Sequence, residues 1–162
     1  MTKATPAEFY ADPNNSLGYL TRIAFRSFSR ALEKRTLPHG VTAGQWRFLR
    51  VLWREEGLTQ RELSRRVGMR EPTTVTALKG LEKSGLVRRK QSSEDRRKIH
   101  VFLTPKARKL QATLAPCVAE VNEIAAEGLS LEEVATLRRL LQHIGRNLAP
   151  EVETAPPTDA AV

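Results

Sequence analysis

Arg96, Arg97 and Lys98 stand side by side, and upstream Gln60, Arg61, Arg65, Arg70, Thr73, Thr74, Thr76 and Lys79 fall within one stretch of 20 residues. Guanidinium and ammonium groups are permanently charged donors that suit phosphate oxygens. Threonine hydroxyls pair with donors or acceptors, and their methyls can touch the methyl of thymine. This is the chemistry of recognising a polyanion. Bond-making constellations are not evident. The chain has no Gly-rich phosphate loop, no nucleophile elbow and no paired-His motif, so no catalytic residue is assigned. His39, His100 and His143 are scattered without ligand spacing, so no metal or other cofactor is expected. Cys117 is the only cysteine, which excludes an internal disulfide and fits a reducing cytoplasm. It stands on the apolar side of its helix with no cation beside it in sequence, and reads as a structural thiol rather than an oxidation sensor.

The charge is concentrated where those residues lie. The formal net charge is +9 over 162 residues. From Leu58 to Lys109 there are 15 Lys and Arg against 5 Asp and Glu, whereas the rest of the chain has 12 and 13. A confined excess of this kind favours a nucleic-acid partner over an anionic membrane or a merely solvated face. Hydrophobic residues make up 40% and charged residues 28%, as in an ordinary globular protein. No apolar run is long enough to span a membrane, and Met1–Glu8 has no apolar signal core, so a soluble cytoplasmic protein is expected.

The elements that must position these groups are read from periodicity. Residues 16–35 form a helix with Leu17, Leu20, Ala24, Phe28 and Ala31 on one face, widened by Ile23 and Leu32. Its other face is basic, with Arg22, Arg26, Arg30 and Lys34. Thr42 and Gln45 make a capping box that opens a second helix, with Trp46, Leu49, Leu52 and Trp53 inward. Thr59 and Glu62 open a short third helix ending at the turn of Gly68. A fourth begins around Pro72, with Val75, Leu78 and Leu81 inward, and stops at Gly85. Residues 86–91 and 98–103 alternate as two strands around a charged tip. Thr104 and Pro105 start a fifth helix, kinked at Pro116, and Ser130 caps a sixth that carries Leu131, Val134, Leu137, Leu140, Leu141, Ile144 and Leu148.

The resulting fold class is mainly α: a winged helix-turn-helix with a two-stranded β-hairpin wing and long N- and C-terminal dimerisation helices. The expected division is a flexible N-terminus (1–15), an N-terminal dimerisation helix (16–40), a DNA-binding region (41–104), C-terminal dimerisation helices (105–148) and a disordered tail (149–162). A helix matches the major groove in width, and the second helix of the pair enters it with its N-terminal residues foremost. Arg70, Thr73, Thr74, Thr76 and Lys79 are therefore candidates for contact with the double helix. Gln60, Arg61 and Arg65 are suited to phosphate positioning, and Arg96, Arg97 and Lys98 to a minor groove. Asp95 is expected to pair with a neighbouring arginine and so stabilise the wing, with a simple turn position as the alternative. Gly80, inside the fourth helix, costs about 1 kcal/mol relative to Ala and is read as allowing close approach of another element.

Asp95-Arg-Arg97-Lys-Ile-His-Val-Phe-Leu103-Thr104 resembles the Asp-x-Arg…Leu-Thr wing signature of the MarR family of transcriptional regulators. Leu58–Gly68, and Pro72-Thr-Thr-Val with Leu81-Glu-Lys-Ser-Gly85-Leu-Val, resemble that family's helix-turn-helix, and the likeness covers residues 16–148. It implies a symmetric homodimer on double-stranded DNA at a palindromic operator, acting as a ligand-responsive repressor. It also implies a pocket for a small aromatic or anionic effector. Tyr19, Ile23, Arg26, Trp46 and Arg50 are candidates for its lining, the alternative being that Ile23 and Trp46 are core and the arginines solvated. Thr76, Lys79 and Gly80 depart from the family's usual Arg and Asp-Arg, so its base preference does not carry over. A DNA-packaging or architectural protein is the alternative function, and an acidic protein partner for the basic face is a third.

Overall fold

The structure is a computed structural model that describes residues 12–154, with side chains to 149. The expected flexible start (1–15) and disordered tail (149–162) therefore lie partly outside the described residues. Residues 13–15 form a 3₁₀ turn, capped by the Asp12 side chain. The chain divides into two compact units, with the boundary between Val121 and Asn122.

Within the first unit, α1 (Leu17–Thr36) is capped by Ser16, whose hydroxyl accepts the Tyr19 N–H. After a 3₁₀ turn at Leu37–His39 comes α2 (Ala43–Leu52), opened by the Thr42–Gln45 capping box with both reciprocal bonds made. A two-residue strand, β1 (Leu58–Thr59), leads into α3 (Gln60–Val67), whose Thr59–Glu62 box is likewise complete. Gly68, at φ 72°, adopts the left-handed turn that a Cβ would strain, and it separates α3 from α4 (Glu71–Lys83). The Ser64 hydroxyl closes this turn by donating to the Met69 carbonyl.

The hairpin is β2 (Val87–Gln91) and β3 (Ile99–Leu103), antiparallel with Arg89 opposite Val101. The expected two-stranded wing is extended by β1 on the other edge of β3, giving the order β1-β3-β2. Two residues are too few for an alternation pattern to register, and their sequence signal is absorbed by the cap of α3. Helix α5 (Pro105–Ala125) runs through Pro116. In the second unit, α6 extends from Leu131 to Thr154, beyond the expected end at 148, so the first residues assigned to the tail are helical.

The core collects one face from each element: Phe48, Leu49 and Leu52 of α2, Leu63 of α3, Leu78 and Leu81 of α4, Val101 and Leu103 of β3, and Ala107 and Leu114 of α5. Trp46 and Trp53 lie at its edge, ring against ring at 5.3 Å, and the Trp53 indole N–H donates to the Ala107 carbonyl at 2.9 Å. By contrast, α1 buries only Thr36. Its apolar stripe remains in solvent, with Leu17 64% and Leu20 42% exposed.

Glu56 ties three segments together. Its carboxylate accepts the Leu103 N–H at 3.1 Å and two Arg108 N–H groups at 2.7 and 2.8 Å. The Arg108 guanidinium, helped by the Leu103 N–H, holds this carboxyl below the usual glutamate range against the opposing effect of partial burial. A carboxyl whose pKa falls on folding stabilises the fold above its unfolded value, and that contribution is lost as pH drops through the folded value. The Glu56 contribution should therefore be constant from about pH 7 to pH 5 and decline on further acidification. Glu56→Gln should make the acid side of a thermal-melt pH series shallower; an unchanged slope would remove Glu56 from this account.

Candidate nucleic-acid interface

Helix α4 has two opposite faces. Thr73, Thr76 and Lys79 are exposed, and Leu78 and Leu81 are buried. The Thr76 hydroxyl donates back to the Pro72 carbonyl at 3.2 Å, which leaves its lone pairs and methyl at the surface. Arg70 is exposed at the N-cap. The first turn of α4 presents backbone N–H groups that the helix itself does not use, beside the positive end of its dipole.

Thr74 does not join this face. It is fully buried, and its Oγ1 has no hydrogen-bond partner. The reason is its phase: Thr74, Leu78 and Leu81 recur at i, i+4 and i+7 and so share the core side, a place the sequence reading gave to the half-buried Val75. A side chain sealed in the core cannot reach a base edge. An unpaired buried hydroxyl costs about 1–3 kcal/mol, so Thr74→Val should raise the unfolding free energy by around 1 kcal/mol and leave DNA affinity unchanged. Chemical denaturation and a DNA titration of the same variant check both halves.

Gly80 also differs from expectation. A Cβ there would meet nothing within 4 Å, so no neighbouring element of the fold requires the glycine.

A groove of about 720 Å³ lies between α3 and the wing, and it gathers Gln60, Arg61, Arg65, Asp95, Arg97 and Lys98. Of its four acidic members, Glu62, Glu71 and Asp95 are engaged, and Glu94 contributes a backbone N–H bond to Ser92. Glu62 belongs to the α3 capping box, and the Thr59 hydroxyl and N–H hold its carboxyl below the usual range. Glu71 faces Arg61 at 3.5 Å. Among the described residues, the side chains of Arg65, Arg96, Arg97 and Lys98 form no ion pair.

Asp95 works through the backbone rather than by pairing with an arginine side chain. Its Oδ1 accepts the Arg97 N–H at 3.0 Å, and its carbonyl accepts the Lys98 N–H at 2.9 Å. The Ser92 hydroxyl accepts the N–H groups of Glu94 and Asp95, and the Ser92 N–H returns to the Lys98 carbonyl. The charged tip is thus a closed turn that leaves the Arg96, Arg97 and Lys98 side chains exposed.

The residues named for an effector are spread over two helices. On α1, Tyr19 is half-buried under Arg22, whose guanidinium stands 5.3 Å from the ring centre, while Ile23 and Arg26 are exposed. On α2, Trp46 packs against the core, and Arg50 lines a cavity of about 530 Å³ with Val51, Arg54, Glu55 and Arg66. None of the other four lines that cavity.

Two side chains to which the sequence reading gave no place in the interface stand beside it. Arg89 of β2 binds Glu82 of α4 and reaches Gln60 of α3. His100 of β3 directs Nδ1 at the Gly57 carbonyl, 2.7 Å away. The opposite charges of Glu82 and Arg89, seven residues apart across the Gly85 turn, were the available signal for the first. Nothing local marked the second.

A short helix, a Gly turn, a second helix with an exposed polar face and a basic wing define a winged helix-turn-helix protein. The MarR family model matches residues 41–99. The HTH-type transcriptional regulator TtmR of Methylorubrum extorquens is 36% identical over 101 residues, 62% of this chain and 52% of that protein. The chain thus spans about half the length of that relative. A putative transcriptional regulatory protein for the hcr operon of Thauera aromatica is 31% identical over 76% of this chain and 72% of its own length. A MarR transcriptional regulator from Methanosarcina mazei superimposes with a TM-score of 0.76 at 29% identity, over 81% of this chain and 94% of that one. The chain belongs to the MarR family of transcriptional regulators. No helix among the described residues is long and apolar enough to cross a membrane.

Proposed function

We propose that the protein is a homodimeric, sequence-specific regulator that binds a palindromic operator, with α4 in the major groove and the wing in the adjacent minor groove. The observation that carries this reading is the groove in which Arg65 of α3 and Arg97 and Lys98 of the wing tip converge with no ion pair among the described residues, beside an Arg61 that faces Glu71. Arg70, Thr73, Thr76 and Lys79 read or approach base edges, Gln60, Arg61 and Arg65 fix register on phosphate, and Arg96, Arg97 and Lys98 enter the minor groove. Dimerisation is supported by apolar side chains that each unit leaves in solvent: Leu17, Leu20, Ile23 and Phe28 on α1, and Leu137, Leu140, Leu141 and Leu148 on α6. Repression by occluding a promoter needs no surface beyond these.

Effector control rests on family membership, with Tyr19, Ile23, Arg26, Trp46 and Arg50 as the first residues to vary. A small aromatic or anionic ligand acts only if it binds the DNA-competent and incompetent states with different affinity. Hydroxyl-radical footprinting on DNA selected from a random pool tests the reading. Two protected half-sites about one helical turn apart, with the wing's minor-groove protection flanking each, support it. Uniform protection of every duplex supports DNA packaging instead.

A further inference from the structure

The wing and the recognition helix of this chain are joined by a buttress whose arginine lies outside the sequence motifs. Arg89 lies on β2 on the same side as Val87, which is buried in the core. Its Nε and Nη2 donate to Oε2 of Glu82 at 3.0 and 2.6 Å, and its backbone N–H donates to Oε1 of the same carboxylate at 3.3 Å. Both carboxylate oxygens are thereby held by one residue. From the other side of the guanidinium, Nη1 faces the Gln60 Oε1 at 3.5 Å. The Arg89 side chain is 23% exposed, whereas its neighbours in sequence, Arg88 and Lys90, are exposed. The Arg89 contacts hold the Glu82 carboxyl below its usual range.

These contacts meet at three elements: the base of the wing, the last turns of α4 and the first residue of α3. A minor-groove contact at the wing tip and a major-groove contact on α4 serve one binding event only if their separation is fixed. A long strand pair pivoting on its base would spread the tip over several positions, and each would cost ordering entropy on binding. Arg89 removes this freedom with a planar fork that fits one carboxylate orientation, which a lysine cannot reproduce. The Gln60 contact orients that side chain's oxygen inward, leaving its NH₂ group for phosphate.

We propose that Arg89 is a positioning residue: with Glu82 it sets the angle between wing and recognition helix, and it makes no contact with DNA itself. This rests on the major-groove and minor-groove reading above. The alternative is that Arg89, as one of the many basic residues of the region, binds phosphate directly. The two differ in measurable ways. A phosphate contact contributes to counterion release, so its loss lowers the dependence of log affinity on log salt by about one unit. A positioning residue leaves that dependence alone and lowers specific affinity more than non-specific affinity.

The experiment titrates the full-length wild type, Arg89→Lys, Arg89→Ala, Glu82→Gln and the exchanged pair Glu82→Arg/Arg89→Glu. Each is measured against the selected operator duplex and a scrambled duplex over a salt series, with a thermal melt of every variant. Arg89→Lys, Arg89→Ala and Glu82→Gln are expected to lose about tenfold in operator affinity, the effect of one misplaced contact. Scrambled-duplex affinity and salt dependence should stay within error of wild type, and the exchanged pair should recover most of the loss. The inference is overturned if Arg89→Ala flattens the salt dependence and Arg89→Lys binds like wild type. It is also overturned if Glu82→Gln strengthens binding to both duplexes by releasing a cation. Variants that melt early are judged on the exchanged pair, whose failure to restore operator preference once its stability is restored rejects the positioning role. If the wild type itself shows no operator preference, the functional reading fails rather than the buttress.

Discussion

Arg97→Ala is expected to cost about 1–3 kcal/mol of operator binding, roughly ten- to a hundredfold, while the folded protein melts as before. The geometry of the wing tip separates the two effects. The turn is closed by backbone groups and by the side chains of Asp95 and Ser92, so removing the Arg97 guanidinium leaves every one of those bonds in place. That guanidinium is exposed and in no ion pair among the described residues, so its loss removes charge from the groove and nothing from the core. Asp95→Ala should reach a similar loss by a different route, since it releases the Arg97 N–H and loosens the turn that aims the side chain. The combined variant should then lose less than the sum of the two, because both act on one contact. Unchanged operator affinity for Arg97→Ala, measured by anisotropy at moderate salt, would remove the wing from the interface.

The second large effect concerns assembly. Leu141→Glu on α6, or Leu20→Glu on α1, should convert the dimer to a monomer in sedimentation experiments and lower operator affinity by about 10²- to 10⁴-fold, the advantage of linking two half-sites. These side chains are 46% and 42% exposed within a single chain, so a charge there does not enter a core the chain makes for itself. It enters the surface that the proposed dimer would cover, where an unpaired carboxylate is costly. Scrambled-duplex binding, which each copy manages alone through its own cations, should fall far less. A variant that still sediments as a dimer and still prefers the operator would place the interface elsewhere.

Much of this fold is legible in the sequence because its boundaries are written in local chemistry. The capping boxes at Thr42 and Thr59 both form as the Thr-x-x-Gln and Thr-x-x-Glu spacings predict. The helix-turn-helix turns at Gly68, where the left-handed conformation excludes side chains. The exposed cations of the wing follow directly from Arg96-Arg-Lys98. What escaped depends on phase and on distance. The burial of Thr74 follows from its spacing to Leu78 and Leu81, yet a threonine on a basic helix invites a polar role, and Val75 beside it is the stronger apolar candidate. Arg89 looks like its neighbours until folding brings Glu82 alongside. The expected partner of Asp95 was an arginine side chain, whereas the contact made is the turn position held as the alternative, because a one-dimensional reading weighs the arginine side chains nearby and overlooks their peptide N–H groups. The end of α6 was missed because Pro150 argues for a stop, although the backbone is helical through Thr154.

The central claim, that this surface recognises a DNA sequence rather than charge alone, is tested most directly by one titration. The protein would be added to labelled DNA from upstream of its own gene and to a scrambled duplex of equal length, each at two salt concentrations. Preference for the native duplex by about a thousandfold or more, retained at both salt concentrations, is the predicted result. Equal affinity for a scrambled duplex and for the operator selected from a random pool, with both falling together as salt rises, would contradict it.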